Sequence, residues 1–223
     1  MAHQLGKKDA ARRLFILEGD MWNVLFTIGL PLVFYNGISQ FFQFFDTIIA
    51  SNMSANVVST VSFISQIQSM LAAIGSGLGI SGGIIIARFY GAGNMEEVNK
   101  NISTIVFLAL GIGLALLAVI LPFSVQFLRF FGMPEDLITA ENIVYFMFEI
   151  AGLVSVFINT IYFAIERAKG KTKTIFWFNM LVLAIKFCLT LFFVYVLKKG
   201  IIMLSLSSFI AQSLLTIIAI RSL

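Results

Sequence analysis

Residues 102–121 read ISTIVFLALGIGLALLAVIL, twenty positions without one charged side chain. Wound as an α-helix at 1.5 Å per residue, such a run is as long as the ~30 Å hydrocarbon core of a bilayer is thick. On either side of it the same signature recurs. Apolar stretches lie at about 21–50, 57–87, 102–128, 142–165, 174–197 and 200–220, each long enough to cross. The whole chain of 223 residues is 59% hydrophobic and only 12% charged, with a mean hydropathy of +0.98. A soluble domain carries roughly a quarter charged residues, so a soluble enzyme is excluded. The 24 Phe and 17 Gly agree, since Phe suits lipid and Gly suits close helix contacts. A single Cys and a single His, His3, leave no disulfide framework and no Cys- or His-based metal centre. The predicted fold class is therefore an all-α membrane protein of six transmembrane helices, preceded by a polar segment over residues 1–20.

Between the spans stand helix-ending residues: Asn52-Met53-Ser54, Gly91-Ala92-Gly93-Asn94, Gly132-Met133-Pro134, Lys169-Gly170-Lys171 and Lys198-Lys199-Gly200. No short apolar core with a small-residue cleavage site follows the first residues, so a removable signal peptide is not expected. Basic residues set the orientation. An N-terminus in the cytoplasm puts eleven of them inside, among them Lys7, Lys8, Arg12, Arg13, Arg88, Arg167, Lys169, Lys171 and Lys173. Three (Arg129, Lys198 and Lys199) then fall outside, and Lys186 lies within a span. The expected protein is multi-pass in the plasma membrane (in a bacterium, the inner membrane), with both termini cytoplasmic. The net charge of +4 is thereby topological, and no nucleic-acid partner is expected.

Ionisable groups inside a span cost roughly 2.5–3.5 kcal/mol each on insertion scales and mark function by default. Two lie deep. Asp46 is in the first span and Lys186 near the middle of the fifth. At 100° per residue, Tyr35, Asn36, Ser39, Gln43 and Asp46 share about a third of the first helix's circumference. Asn179, Lys186 and Thr190 share one face of the fifth. The plainer reading is an Asp46–Lys186 ion pair that only orients two helices. The sharper one is a solvated cavity in which these groups couple a bound ion or proton to substrate passage. Glu149, in the fourth span, is less informative, because it lies within a few residues of the predicted outer boundary and within reach of water.

Other motifs carry less. Gly77-Leu78-Gly79-Ile80-Ser81-Gly82 spells a dinucleotide fingerprint, but inside a span, where small residues serve helix packing. Asn52-Met53-Ser54 and Asn101-Ile102-Ser103 match a glycosylation pattern that is frequent by chance. Cys188 reads as an inert core residue. Glu96-Glu97 and Glu135-Asp136 sit at span boundaries and read as helix-start or loop charges rather than an acid/base dyad.

Three places resemble a known family. The first span carries Leu30-Pro31-Leu32, Gln40 and Phe45-Asp46-Thr47-Ile48. The inner end of the second reads Ala87-Arg88-Phe89-Tyr90-Gly91-Ala92-Gly93-Asn94, and the fourth ends Glu166-Arg167-Ala168-Lys169-Gly170-Lys171-Thr172. Over residues 20–223 the chain is similar to the N-terminal six-helix half of a multidrug and toxic compound extrusion (MATE) transporter. The resemblance implies twelve helices in two six-helix lobes that alternate between outward-open and inward-open forms. It also implies export of organic cations or drugs in exchange for H⁺ or Na⁺, with no other cofactor. One branch uses an N-lobe cavity with an acid on the first helix, an Asn and an Asp four apart on the fifth, and a Thr on the sixth. By that resemblance Asp46 takes the place of the acid and Pro31 that of the bending proline. Lys186 takes the Asn position, Thr190 the Asp position and Ser208 the Thr position.

The sequence departs from this pattern in replacing an amide by a fixed cation and in lacking the second carboxylate. An ammonium beside Asp46 favours its ionised form and makes it a poorer proton carrier, and it can occupy the place of a bound Na⁺. Altered ion coupling is expected, with Asp46→Asn changing pH-dependent transport. The expected binding set is Asp46, Lys186, Thr190, Ser208, Asn36, Gln43 and Asn179, with Pro31 as hinge and no metal. A second lobe is expected as partner, either from the gene's continuation or from another copy of the chain. Two alternatives stand beside the antiporter: a lipid-linked oligosaccharide flippase of the same superfamily, and a non-transporting membrane interaction protein. An enzyme is not expected, because no nucleophile–base pair is available.

Overall fold

A computed structural model of the chain describes residues 7–196 and 200–222. Within them, the side chains of residues 7–10, Arg13, Phe42, Gln43, Asp46 and Tyr195 lie outside the description, as do His3, Lys198 and Lys199 altogether. The described chain is built of helices. They are α1 (Lys7–Glu18), α2 (Met21–Ser51), α3 (Ala55–Ala92), α4 (Met95–Ile120), α5 (Ser124–Phe130), α6 (Ala140–Ala168), α7 (Thr172–Leu191) and α8 (Ile202–Ser222). A 3₁₀ turn precedes α6 at Glu135–Leu137, and a π-helical stretch, Phe192–Val196, extends α7. Six of these elements are long and apolar enough to cross a membrane, namely those built on α2, α3, α4, α6, α7 and α8.

Local chemistry fixes the ends. Side chains of Asp20, Ser54, Asn94 and Thr139 each accept a hydrogen bond from a backbone N–H three residues on, which satisfies donors that the first turn leaves unpaired. Gly93 (φ +79°) closes α3, and Gly170 (φ +70°) turns the chain from α6 into α7. Both adopt left-handed backbone that residues with a Cβ seldom take. The third span differs from its expected range of about 102–128. The helix starts seven residues earlier, at Met95, because Asn94 caps it and Glu96 and Glu97 sit favourably in its first turn. It stops at Ile120, just before Pro122, and Ser124–Phe130 is a separate short helix. The polar lead-in likewise contains a helix, α1.

α6 is the hub. It packs against α3, α4 and α8, while α7 packs against α8 and α2. Phe146, Leu153, Phe157, Ile161 and Ile165 of α6 are fully or almost fully buried and join Ile64 and Ile86 of α3 in the main core. The glycines of α3 permit this approach. A Cβ at Gly75 would come within 2.7 Å of the Phe157 ring, and one at Gly79 within 3.3 Å of Thr160 Cγ2. Gly82 abuts Ile105 of α4 in the same manner. The glycine-rich run that spells a nucleotide fingerprint is thus continuous helix, and its Gly79 and Gly82 are packing notches.

Candidate functional site

A cavity of about 470 Å³ opens between α2, α3, α6, α7 and α8. Its size is that of a small-molecule pocket. Its lining is polar beyond what lipid-embedded helices need, since a bilayer offers such groups no water.

Each helix turns one polar edge to it. α2 contributes Tyr35, Ser39 and Thr47, α3 contributes Ser65, Gln68 and Ser69, and α7 contributes Asn179 and Lys186. From α8 come Ser208 and Gln212. The richest edge belongs to α6, where Tyr145, Glu149, Gly152, Val156, Asn159 and Phe163 recur at three- and four-residue steps along one face.

Two polar centres sit at different depths. Near the start of α6, Gln68 Nε2 donates to Glu149 Oε2 at 2.7 Å, and Glu149 is only 8% exposed. Ten residues on, about 15 Å along the axis, Asn159 Nδ2 donates to Gln212 Oε1 at 2.8 Å and to the Gln212 carbonyl at 3.2 Å. The Thr216 hydroxyl, 3.0 Å from Asn159 Oδ1 and 2.9 Å from the Gln212 carbonyl, completes this second centre. Because α7 runs antiparallel to α6, Lys186 lies toward the Glu149 end and Asn179 toward the Asn159 end. The ionisable lining residues Glu149 and Lys186 therefore lie toward one end, and the amides Asn159, Asn179 and Gln212 toward the other. A third buried pair, Asn142 Nδ2 to Thr60 Oγ1 at 3.0 Å and to the Leu137 carbonyl at 2.8 Å, ties α6 to α3 and to the preceding turn.

Of the residues singled out in the sequence, Lys186, Asn179 and Ser208 line this cavity. Asn179 is buried, with its Nδ2 donating to the Ile175 carbonyl at 2.9 Å. Ser208 donates to the Leu204 carbonyl at 3.2 Å. Asn36 is exposed on α2 and Thr190 is 1% exposed on α7; neither is among the lining residues. Among the described residues Thr190 Oγ1 has no hydrogen-bond partner. Gln43 and Asp46 lie on α2 with side chains outside the described residues. Pro31 lies inside α2, which continues through it.

Glu149 is more informative than the sequence suggests. It is buried against Gln68 and faces the cavity. Position along a span says nothing of azimuth, and the azimuth of Glu149 points into the lobe. The signal was present in the spacing of Glu149, Gly152, Val156 and Asn159, which places two polar groups and a glycine on one face of α6. Gln68, Asn159, Gln212 and Thr216 were not singled out because each is uncharged and stands among other small polar residues of its span.

No group of three His, Cys, Asp or Glu side chains able to hold a metal ion occurs among the described residues. The chain matches the MatE family model over residues 31–196. No curated protein matches it. Among solved structures it is similar to a multidrug resistance MATE family transporter of the MOP superfamily in an outward-facing conformation, with a TM-score of 0.86 at 18% identity. That alignment covers 97% of this chain and 47% of the other. It is equally similar in fold to a MOP superfamily transporter from Pyrococcus furiosus whose binding pocket is described as reversed in polarity, suggesting a different function (TM-score 0.86, 19% identity, 97% and 47% covered). A MATE protein in a bent conformation follows at TM-score 0.84 and 19% identity, with 98% and 47% covered. The chain thus spans about half the length of the structures it resembles, and at these identities the likeness is one of fold.

Proposed function

Because the chain belongs to the MatE family, we propose that it forms one six-helix lobe of a secondary active transporter that exports small organic cations or drugs in exchange for H⁺ or Na⁺. One observation carries this reading: the six-helix bundle encloses a pocket-sized polar cavity into which two ionisable side chains, Glu149 and Lys186, are turned. A purely structural bundle avoids the cost of such groups.

In this proposal Asp46, Glu149 and Lys186 handle the coupling ion, while Asn159, Asn179, Ser208 and Gln212 orient the solute. Pro31 is the point where α2 bends between states, since a proline removes one helical hydrogen bond. The protein sits in the plasma membrane with both termini cytoplasmic, as the distribution of basic residues favours. A second six-helix lobe, from the gene's continuation or another copy of the chain, completes the transport path, in keeping with relatives of about twice this length.

Lys186 in the cavity also favours a second reading, an anionic substrate such as a lipid-linked pyrophosphate. The reversed pocket polarity described for the Pyrococcus furiosus relative gives that reading a precedent. Glu149 in the same cavity weighs against it.

Proteoliposomes loaded with ethidium and given an imposed H⁺ or Na⁺ gradient separate the two. The antiporter reading predicts saturable, gradient-dependent efflux that falls to the leak rate in Glu149→Gln and changes its ion dependence in Lys186→Ala. Efflux equal to that of protein-free vesicles, with lipid-linked pyrophosphate translocated instead, would favour the second.

A further inference from the structure

Away from the central cavity, on the outer face of the lobe, α2 and α7 frame a second hollow of about 210 Å³. Leu30, Pro31 and Phe34 line it from α2, and Lys173, Phe176 and Trp177 from α7. Trp177 is 71% exposed, and Leu30 and Phe34 are also exposed, so the hollow is a crevice facing the surroundings rather than a core void. Its walls are hydrocarbon and aromatic ring, with one exception. Lys173 stands in the first turn of α7, where its stem can follow the apolar wall while its ammonium reaches the membrane surface.

That end of the lobe is rich in basic residues. The α6–α7 turn reads Arg167-Ala168-Lys169-Gly170-Lys171-Thr172-Lys173, with Glu166 just before it 4.0 Å from Lys169. α1 is seated on the same turn. Arg12 Cδ lies 3.4 Å from where a Cβ of Gly170 would stand, and the Ile16 side chain covers the same glycine. α1 also exposes Leu14, Phe15 and Leu17, one turn before the first span begins. A basic helix with exposed apolar side chains at that position lies in the interface plane of a bilayer.

We propose that this crevice is an anionic-phospholipid site. One acyl chain lies along Leu30, Phe34 and Trp177, and the phosphate is held by Lys173 with the cations of the α6–α7 turn and Arg12. A volume of 210 Å³ is below the roughly 300–1,000 Å³ of compact-ligand pockets and suits a flexible chain. Lys173, the one cation in the lining, with the basic turn that leads into it, selects an anionic headgroup over a zwitterionic one. The site is independent of what the central cavity carries.

The chain has two tryptophans, Trp22 and Trp177, so Trp22→Phe leaves Trp177 as the sole tryptophan, excited selectively at the red edge of the indole band. In phosphatidylcholine vesicles doped with phosphatidylglycerol brominated on its acyl chains, Trp177 should be quenched at a far lower dopant fraction than with brominated phosphatidylcholine. Lys173→Gln should shift that curve roughly fivefold to the right, as expected for one surface cation, and Lys173→Arg should restore it. Equal quenching by the two lipids would overturn the proposal. So would an unshifted curve in Lys173→Gln, or displacement of the brominated lipid by free glycerol phosphate, which would leave the crevice without a role. If Lys173→Gln loses its helical circular dichroism, the wild-type preference at rising salt decides instead. It should fade if the headgroup is held by charge and persist if the idea is wrong.

Discussion

α2 and α6 are both membrane-length helices, yet none of the membrane-length window of α2 is buried, against 56% of that of α6. Their sequences look alike in hydropathy, 1.4 and 1.8 over those windows. What separates them is the pattern of small and polar residues. α6 meets the glycine notches of α3 and carries Asn142, Glu149 and Asn159 on inward faces, each satisfied by a partner on another helix or an adjacent turn. α2 turns Leu25, Val33, Phe34, Phe41 and Phe44 outward, where lipid or a second lobe can meet them. Hydropathy therefore tells that a helix lies in the membrane, and the small and polar residues tell where within the bundle it lies.

This contrast can be broken by substitution, most forcefully at the hub. Phe157→Ala removes a fully buried ring from the α3–α6 contact and is expected to cost about 3–5 kcal/mol in reversible unfolding followed by helical circular dichroism. A cost below 1 kcal/mol would mean that α6 is not the centre of the lobe. Asn142→Ala leaves the Thr60 hydroxyl and the Leu137 carbonyl without their donor and should cost about 1–3 kcal/mol by the same assay. Asn159→Ala loosens the bonds to Gln212 and Thr216, for which interhelical hydrogen bonds in membranes suggest about 0.6–1.7 kcal/mol. Phe41→Ala on the outward face of α2 should change stability by less than about 0.5 kcal/mol. If Phe41→Ala costs as much as Asn159→Ala, α2 is packed more closely than its exposure implies.

Most of the fold was legible because a bilayer imposes length and apolarity on each crossing, and both can be counted along the chain. The third span slipped because its apolar run begins only at Ile102, whereas the helix begins at Met95, with Glu96 and Glu97 as the helix-start charges that were one of their two readings. α1 was hidden in a segment whose charges masked a helical stretch. Of the cavity lining, Lys186 was legible from its charge, Asn179 from sharing a helix face with Lys186, and Ser208 from the resemblance. The lining was illegible at Gln68, Asn159 and Gln212, whose meaning comes from partners 53 to 81 residues away. Glu149 shows the limit most clearly, since its depth along α6 suggested water and its direction brought it to Gln68.

The claim on which the rest depends is that the cavity beside α6 is an aqueous chamber inside the membrane. Adjacent positions on α8 test it: Ser208 lines the cavity, while Ser207 is fully buried and does not. In a Cys188→Ser background, which removes the chain's one native thiol, Ser208→Cys and Ser207→Cys are treated in vesicles with a small charged methanethiosulfonate. A water-filled cavity predicts rapid modification at 208 and none at 207. Two equally unreactive cysteines, or two equally reactive ones, would contradict it.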